Sequence, residues 1–325
     1  MEPFTWVKAT DETRAIAAAG SANTQYIAGG TNLVDYMRLA VMRPSQVVDI
    51  TALPLATVED SGQGLKIGAL VRNTDLAYHP AVMQRYPVLA EAILAGASPQ
   101  IRNLATTGGN MLQRTRCPYF RDAAEPACNK RNPGSGCAAI GGYTRSHAIL
   151  GTSKQCIASN PSDMNVALTA LDAIVHINGP KGTRQVAFTD FHTLPGDHPE
   201  IESVLGPGEL ITHVELPPNL PRSHYLKVRD RASFAFALAS AAVALDVDAS
   251  GIKAARIALG GVGTKPWRSR EAEAALVGAP AKAETFRAAA EAALAAAAPQ
   301  PGNQFKVELA KRTLVRALLE VGGMR

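Results

Sequence analysis

The hydrophobic and polar positions of the first hundred residues follow two different periods. In some segments apolar residues recur about every 3.6 positions, which predicts helices, and in shorter segments they cluster or alternate, which predicts strands. The predicted helices are DETRAIAAAG, NLVDYMRLAV and YPVLAEAILAGAS, and the predicted strands are QYIAGG, SQVVDI and LKIGAL. This alternation of strands and helices is an α/β pattern.

Regular periodicity is absent between residues 111 and 158, where Gly, Pro, Arg and Cys dominate. A structureless loop of that length is uncommon in a compact domain unless it is functional. We therefore expect an ordered insertion that is held together by something other than a core of its own. Periodicity resumes in NPSDMNVALTALDAIVHI, which predicts a helix capped by Ser162 and Asp163 and then a strand, and GELITHVELP predicts another strand.

The proline-rich segment LPPNLPRSHY predicts a domain boundary near residue 222. Beyond it, two predicted strands, FAFALASAAVALDVD and GIKAARIALGGVG, precede two predicted helices, AETFRAAAEAALAAAA and FKVELAKRTLVRALLEV. Strands followed by helices indicate an α+β unit. The sequence thus predicts one domain over residues 1–222, with the insertion at 111–158, and a C-terminal α+β domain over 223–325.

Composition narrows the function classes. The 325 residues are 46% hydrophobic, which is enough for an ordinary globular core, and the net charge of +5 does not indicate a nucleic-acid partner. The basic excess is local, because the segment from Met111 to Cys156 carries seven Lys or Arg residues and two acidic ones. We expect neither a membrane span nor a signal peptide, since no apolar run of sufficient length occurs.

Two glycine turns offer backbone groups to an anion. IAGGTNL, residues 27–33, and TTGGN, residues 106–110, each place two glycines and small polar residues in a turn that precedes or starts a predicted helix. Backbone N–H groups in such turns can hold a phosphate. Neither turn matches the dinucleotide fingerprint or the P-loop, and a plain connecting turn is the alternative. Together they favour a cofactor with a pyrophosphate, for which Asp163 could bind a ribose or ribityl hydroxyl or could simply cap its helix.

All four cysteines lie within 40 residues, as C-x10-C-x8-C-x18-C. We expect them to act together as metal ligands, because a chain with an ample core and no signal peptide has little need of disulfides. The spacing matches neither a paired zinc motif nor a ferredoxin motif, so zinc and an iron-sulfur cluster both remain possible. We also expect the surrounding basic residues to lower the pKa values of the thiols.

The segments YIAGGTNL, KIGAL, TTGGN, NPSDM, GELI and YLKVRDRASFAFA occur in an order that resembles the FAD-binding medium subunits of molybdenum hydroxylases of the xanthine dehydrogenase family. The resemblance covers nearly the whole chain. It implies an α+β fold: a two-part FAD-binding domain of the vanillyl-alcohol-oxidase or PCMH type, then a domain of the CO-dehydrogenase flavoprotein C-terminal type. The insertion, which most family members lack, is similar to that of periplasmic aldehyde oxidoreductase FAD subunits, in which four cysteines hold a [4Fe-4S] cluster.

The resemblance also implies the residues of each site. In the family the first glycine loop binds the FAD pyrophosphate, an aliphatic residue packs on the isoalloxazine, and a lysine lies close to it; the last two correspond to Ile211 and Lys227. The implied FAD contacts are Ile27, Ala28, Gly29, Gly30, Thr31, Asn32, Leu33, Val34, Thr106, Thr107, Gly109, Asn110, Asp163, Ile211 and Lys227. The implied ligands of the [4Fe-4S] cluster are Cys117, Cys128, Cys137 and Cys156. No general acid, base or nucleophile is expected in this chain.

The function implied by the resemblance is electron transfer within a heterotrimer. A molybdenum-cofactor large subunit would oxidise the substrate, and a small subunit with [2Fe-2S] clusters would pass the electrons to FAD and on to an external acceptor. The expected location is the periplasm, by co-export with a signal-bearing partner, or the cytoplasm. Two alternatives remain: a stand-alone flavin oxidase of the vanillyl-alcohol-oxidase type, and a zinc-stapled nucleotide-binding assembly module.

Overall fold

The computed structural model describes residues 1–323, whose strands form three sheets. The strands are β1 (Thr5–Lys8), β2 (Thr24–Ile27), β3 (Gln46–Asp49), β4 (Val58–Asp60), β5 (Leu65–Gly68), β6 (Ile174–Gly179), β7 (Gly182–Ala187), β8 (Leu210–Leu216), β9 (Arg222–Val228), β10 (Ala239–Asp248), β11 (Gly251–Gly260) and β12 (Trp267–Arg268). The helices are α1 (Glu12–Ala19), α2 (Leu33–Arg38), α3 (Asn73–Ala77), α4 (Pro80–Arg85), α5 (Pro87–Ala95), α6 (Pro99–Arg102), α7 (Thr107–Met111), α8 (Pro118–Arg121), α9 (Asp163–Ala170), α10 (Phe188–Phe191), α11 (Arg270–Leu276), α12 (Ala283–Leu294) and α13 (Phe305–Val321).

The first lobe is a small parallel sheet with strand order β1-β3-β2. Helix α1 connects β1 to β2, and it begins where Asp11 accepts a hydrogen bond from the backbone N–H of Arg14 at 2.8 Å. Buried apolar residues of α1 and β3, among them Ala15 and Val48, form its core. The first glycine loop leaves the end of β2 and runs directly into α2, so the sheet fixes the position of that loop.

The second lobe is an antiparallel sheet of five strands, in the order β4-β5-β8-β6-β7. Helices α5 and α9 belong to the same hydrophobic core as β5, β6 and β8, and this core includes Leu89, Leu168 and Val214. The second glycine loop, residues 106–110, is not a separate turn but the start of α7, with Thr106 as the N-cap residue. It is held to the β5 end of the sheet, because Thr107 donates a backbone hydrogen bond to the carbonyl of Val71 and Gly108 donates one to the carbonyl of Ala69.

The C-terminal sheet, in the order β12-β11-β10-β9, is buried on both faces. Ala241, Val243 and Leu245 of β10 face a core that includes residues of α12 and α13, whereas Ala242 belongs to the core of the second lobe. Alternate residues of a strand point to opposite faces. Burial on both faces explains why β10 and the last four residues of β11 show apolar runs instead of a clean polar alternation.

The regular structure of the insertion is one short helix, α8, and two isolated bridges, one between Cys128 and Cys137 and one between Leu150 and Gly263. The buried apolar residues of the insertion agree with the expectation that it is held by something other than a core of its own. Phe120 is buried, and Ile149 and Leu150 join the core of the C-terminal sheet. The apolar residues are too few to produce a periodic pattern, but they pack against a core that the neighbouring domain supplies.

The other predicted elements are confirmed in kind, with shifted ends. The first predicted C-terminal strand begins only at Ala239, because the chain bends before it, with Phe234 in a left-handed conformation at φ 50°. Strands β1, β4, β7, β9 and β12 are not predicted from the periodicity, since they are short or partly exposed. Among residues 1–323, no helix is both long and apolar enough to cross a membrane.

Candidate flavin cleft and cysteine site

The two glycine loops face each other across a cleft between the first and second lobes. The side-chain amide of Asn32 donates a hydrogen bond to the carbonyl of Gly109 at 3.0 Å, which joins the loops directly. The cleft encloses a cavity of about 920 Å³. Its lining includes nine of the predicted FAD residues: Ile27, Ala28, Gly29, Gly30, Thr31, Asn32, Leu33, Thr106 and Gly109.

Glycine is required in the first loop for two reasons. A Cβ atom on Gly29 would lie 1.8 Å from the carbonyl oxygen of Leu104, so the backbone of the loop passes against the second lobe with no room for a side chain. Gly30 has φ +72°, a conformation that residues with a Cβ rarely adopt. The loop therefore exposes backbone to the cavity without obstruction, which fits a pyrophosphate-containing cofactor.

Asp163 lies at the start of α9 and forms a buried cluster with two residues of β9. Its carboxylate accepts a hydrogen bond from the hydroxyl of Tyr225 at 2.6 Å and pairs with the ammonium of Lys227 at 2.8 Å. The side chains of Asp163 and Lys227 are 6% and 4% exposed. Burial, together with the Asp163 charge, raises the pKa of Tyr225 well above its usual value.

A second cavity, of about 160 Å³, continues from the main cleft past Thr115, Asn160 and Pro161. Asp163 lines this second cavity, and so does Cys117. The residue to which the resemblance assigns an FAD contact and one of the four cysteines therefore border the same space.

Five predicted FAD residues do not line either of the two cavities that residues 1–323 form. Val34 is 38% exposed, and the hydroxyl of Thr107 is buried and donates to the carbonyl of Val71. Asn110 accepts a hydrogen bond from Ser162. Ile211 is packed in the core of the second lobe, and Lys227 is held by Asp163 and the carbonyl of Ala95. Contacts of these five residues with FAD stay predictions.

The four cysteines converge on one small cavity of about 10 Å³, which is lined by Cys117, Cys128, Cys137 and Cys156. All four are free thiols. Within the described chain, residues 1–323, no three or more Cys, His, Asp or Glu side chains stand close enough as a group to hold a metal ion. The donor set fits a thiolate-bound metal centre, but the surrounding loops have to separate before anything larger than a water molecule enters.

The expectation that basic residues lower the thiol pKa values is wrong for two of the cysteines. Burial raises the pKa of Cys117 to about 12, and it also raises the pKa of Cys156 despite the nearby ammonium of Lys130. Desolvation disfavours a thiolate, and at Cys156 this effect exceeds the attraction of Lys130. At Cys117 it exceeds the stabilisation by the backbone N–H groups of Phe120 and Tyr119. A buried metal would reverse this balance by binding the thiolate directly.

The basic residues of the insertion instead attach it to the rest of the protein. Arg121 forms a two-pronged ion pair with Asp35 of α2, with N–O distances of 2.8 and 3.2 Å. Arg114 and Lys130 both pair with Glu202. Burial alone would raise the pKa of Glu202, but these two cations lower it below its ordinary value. Much of the excess positive charge of the insertion therefore forms ion pairs that hold the insertion against the rest of the protein.

Two functional candidates in this region are not predicted from the sequence. Arg116 donates to the side-chain oxygen of Asn32 at 3.0 Å and to the hydroxyl of Tyr36 at 3.1 Å, which links the insertion to the first glycine loop. His147 places its Nε2 atom 3.1 Å from the sulfur of Cys117. Burial lowers the pKa of His147 to about 4. A single arginine or histidine carries no spacing signal, so only the fold brings these pairs together.

Residues 2–219 match the family described as the FAD binding domain in molybdopterin dehydrogenase, and residues 224–321 match the CO dehydrogenase flavoprotein C-terminal domain. The chain belongs to the FAD-binding medium subunits of molybdenum hydroxylases. It is thus a subunit of an oxidoreductase, and the α+β fold and FAD binding implied by the resemblance are confirmed at the level of the family.

Relatives of this medium subunit agree with that assignment. It is 50% identical over 325 aligned residues to the aldehyde oxidoreductase FAD-binding subunit PaoB of Escherichia coli K12, with 98% of each chain covered. It is 30% identical to the glyceraldehyde dehydrogenase medium chain of Sulfolobus acidocaldarius over 278 residues, which cover 85% of this chain and 81% of that one. Its structure resembles a chain of carbon monoxide dehydrogenase from Hydrogenophaga pseudoflava with a TM-score of 0.78 and 25% identity, covering 99% and 98% of the two chains.

Proposed function

We propose that this medium subunit is the FAD- and [4Fe-4S]-containing electron-transfer subunit of a molybdenum-dependent aldehyde oxidoreductase. The observation that carries the proposal is its 50% identity to an aldehyde oxidoreductase FAD-binding subunit, because that alignment covers 98% of both chains and therefore spans most of the cysteine insertion. In the proposed heterotrimer, a large subunit holds the molybdenum cofactor and a small subunit holds [2Fe-2S] clusters.

The main cleft supports the flavin part of the proposal. Flavin chemistry lets electrons arrive one at a time and leave in pairs. The chain's own contribution is to bind and orient FAD: Gly29 and Gly30 expose backbone in the first loop, and Asn32 joins that loop to Gly109. We extend this role to the full set of predicted FAD contacts, and we propose that Lys227 stays paired with Asp163 at the edge of the flavin site.

The four cysteines supply the thiol donors for the metal part of the proposal. All four line one small cavity, and four thiolates suit either a zinc ion or a [4Fe-4S] cluster. We propose the cluster because the insertion resembles that of aldehyde oxidoreductase FAD subunits, in which four cysteines hold one. The loops around the cavity would have to separate to admit it.

We further propose that the functional division follows the predicted domains, with the cluster and all FAD contacts except Lys227 in residues 1–222 and a C-terminal domain in 223–325. Strand β9 begins at Arg222, and its Tyr225 and Lys227 reach back to Asp163. The C-terminal domain then completes one side of the cofactor region and is not an independent substrate-binding cap. That arrangement argues against a stand-alone flavin oxidase.

Purification of the native complex tests the proposal. We expect three kinds of subunit, about one FAD and four irons per medium subunit, and molybdenum in the large subunit. Zinc without iron in the medium subunit would overturn the cluster assignment and favour the assembly module. Aerobic turnover of alcohols by the isolated medium subunit would overturn the electron-transfer assignment and favour a stand-alone oxidase.

The variant Cys128→Ser separates two roles for the cluster. If the cluster only staples the insertion, the variant loses assembled complex while any complex that forms still reduces its FAD at the wild-type rate. If the cluster relays electrons, the assembled variant is slow in delivering them to the external acceptor. Rapid-reaction spectroscopy of FAD reduction and reoxidation measures the two steps separately. We propose that the structural role dominates, since the insertion contains little regular structure of its own.

A further inference from the structure

His147 is the buried side chain that contacts a proposed cluster ligand directly. Its Nε2 atom lies 3.1 Å from the sulfur of Cys117, and the residue is 1% exposed. Its other ring nitrogen, Nδ1, is buried and has no hydrogen-bond partner among residues 1–323. The ring therefore has one polar contact, and that contact is with the sulfur.

The chemistry of the pair fixes the direction of the hydrogen bond. A cysteine that binds iron does so as a thiolate, which has no proton to donate. Nε2 of His147 must then be the donor, with its proton directed at the sulfur. The opposite tautomer would leave a buried N–H group without an acceptor and would place a ring lone pair against a negatively charged sulfur.

The main chain of His147 is held in place from the C-terminal domain. The ammonium of Lys306, on α13, donates to the carbonyl of His147 at 2.8 Å, and the amide of Asn303 donates to the same carbonyl at 3.2 Å. The backbone N–H of His147 donates to the carbonyl of Thr144 at 2.9 Å. Three contacts thus fix the backbone from which the ring reaches Cys117, and the ring cannot leave the sulfur without disturbing a buried region.

We propose that His147 is a positioning residue that donates a hydrogen bond to the Cys117 sulfur, a ligand of the iron-sulfur cluster. This hydrogen bond raises the reduction potential of the cluster. The proposal rests on the presence of the cluster proposed above. Hydrogen bonds to cluster sulfurs are among the factors that set the potential, because they stabilise the more negatively charged reduced form. Cys117 also lines the second cavity with Asp163, so the tuned ligand is one that faces the flavin region.

The test compares two substitutions of similar polarity in the complete enzyme complex. In His147→Gln the amide nitrogen occupies the place of Nε2 and still reaches the sulfur. In His147→Asn the side chain is shorter, and its amide nitrogen does not reach the sulfur. His147→Leu removes the donor altogether. His213→Leu, at a histidine that stacks on His176 in the second lobe, is the control. Iron content and potentiometric titration of the cluster, followed by its visible and paramagnetic signals, are the measurements.

We expect His147→Asn and His147→Leu to make reduction of the cluster about tenfold less favourable. For a one-electron couple this lowers the midpoint potential by about 59 mV. His147→Gln should stay close to the wild type, and so should His213→Leu. Equal potentials in the Asn, Gln and wild-type proteins, with four irons present in each, would overturn the inference alone. Absence of iron from the wild-type protein would overturn the proposed cluster and, with it, the inference.

Discussion

At the scale of single residues, Asp163 combines a structural role with a predicted cofactor role. Its carboxylate neutralises the buried ammonium of Lys227 and accepts from Tyr225, while one side of it faces the second cavity. Removal of one partner from a buried ion pair leaves an uncompensated charge. Asp163 is therefore needed for the fold whether or not it also contacts FAD.

We predict that Asp163→Asn lowers the free energy of unfolding by about 3–5 kcal/mol, because the Lys227 charge stays buried without its partner. The double variant Asp163→Asn, Lys227→Met should recover part of this loss. Denaturant unfolding of the FAD-free chain measures both effects without any contribution from cofactor binding. Equal stability of the single variant and the wild type would show that the pair contributes nothing to the fold.

Gly29 marks the closest approach between the two lobes of the flavin cleft. Because a Cβ at this position would lie 1.8 Å from the carbonyl of Leu104, Gly29→Ala must push the glycine loop away from the second lobe. We predict a loss of FAD affinity of at least about 100-fold, from the displacement of several aligned backbone donors at about 1–1.5 kcal/mol each. Equilibrium dialysis of FAD measures the affinity.

Gly64→Ala is the matched control for that variant. A Cβ on Gly64 would lie 1.9 Å from the carbonyl oxygen of Leu216, a clash of similar size, but Gly64 is not part of the lining of the main cavity. This variant should bind FAD as the wild type does. If the two variants bound FAD equally well, the cleft would be flexible at the point where the structure makes it tightest.

At the scale of elements, the sequence predicts turns, caps and helices that depend on neighbouring residues, but it does not predict contacts between residues far apart in the chain. The first glycine loop and the cap at Ser162 follow from short-range patterns and occur where the sequence predicts them, whereas TTGGN, predicted as a turn, forms the start of α7. The contacts of Arg116 with Asn32 and of His147 with Cys117 join segments 84 and 30 residues apart. Such pairs have no periodicity, and they become visible only when the insertion is folded against both domains.

Helix α13 provides an example of such a long-range contact. The side chain of Lys306 is fully buried at the start of this helix and has no carboxylate partner among residues 1–323. It donates instead to three carbonyl oxygens, those of Ser146, His147 and Gly261. This one ammonium therefore connects the C-terminal helix to the end of the cysteine insertion.

We predict a pH-dependent stability that originates at Lys306. Burial lowers its pKa from 10.5 to about 7, with a smaller contribution from Arg145. The unfolded chain then carries more protons than the folded one between those values, so this residue makes the free energy of unfolding rise with pH across that window. Denaturant unfolding at pH 7 and pH 9 should show a rise of up to about 1.4 kcal/mol per pH unit in the wild type, and Lys306→Met should lack it.

The control for this prediction lies on the same helix. Lys311 is half-buried and pairs with the exposed carboxylate of Glu291, whereas Lys306 is fully buried among carbonyl oxygens. Lys311→Met should therefore retain the rise in stability of the wild type. A rise of equal size in Lys306→Met would assign the pH dependence to other groups.

At the scale of the whole molecule, the cysteine insertion forms part of the wall of the flavin cleft. Thr115, Lys130 and Cys156 line the main cavity together with the first glycine loop, and Arg116 is bonded to Asn32 within that loop. A change in the folding of the insertion must therefore alter the FAD site. By thermodynamic linkage, a metal that orders the insertion strengthens FAD binding, and FAD strengthens metal binding by the same factor.

We predict that removal of the cluster proposed for the cysteine site weakens FAD binding by about 5- to 150-fold, the usual range for coupled sites. The fluorescence of released FAD, measured in matched holo and metal-depleted samples, gives the ratio of the two dissociation constants. Arg116→Met should reduce that ratio, because it cuts the direct bond between the insertion and the glycine loop. Arg85→Met, which breaks a surface pair with Asp60 outside the cleft, should leave the ratio unchanged. A ratio of one in the wild type would mean that the insertion and the flavin cleft fold independently, even though they share a wall.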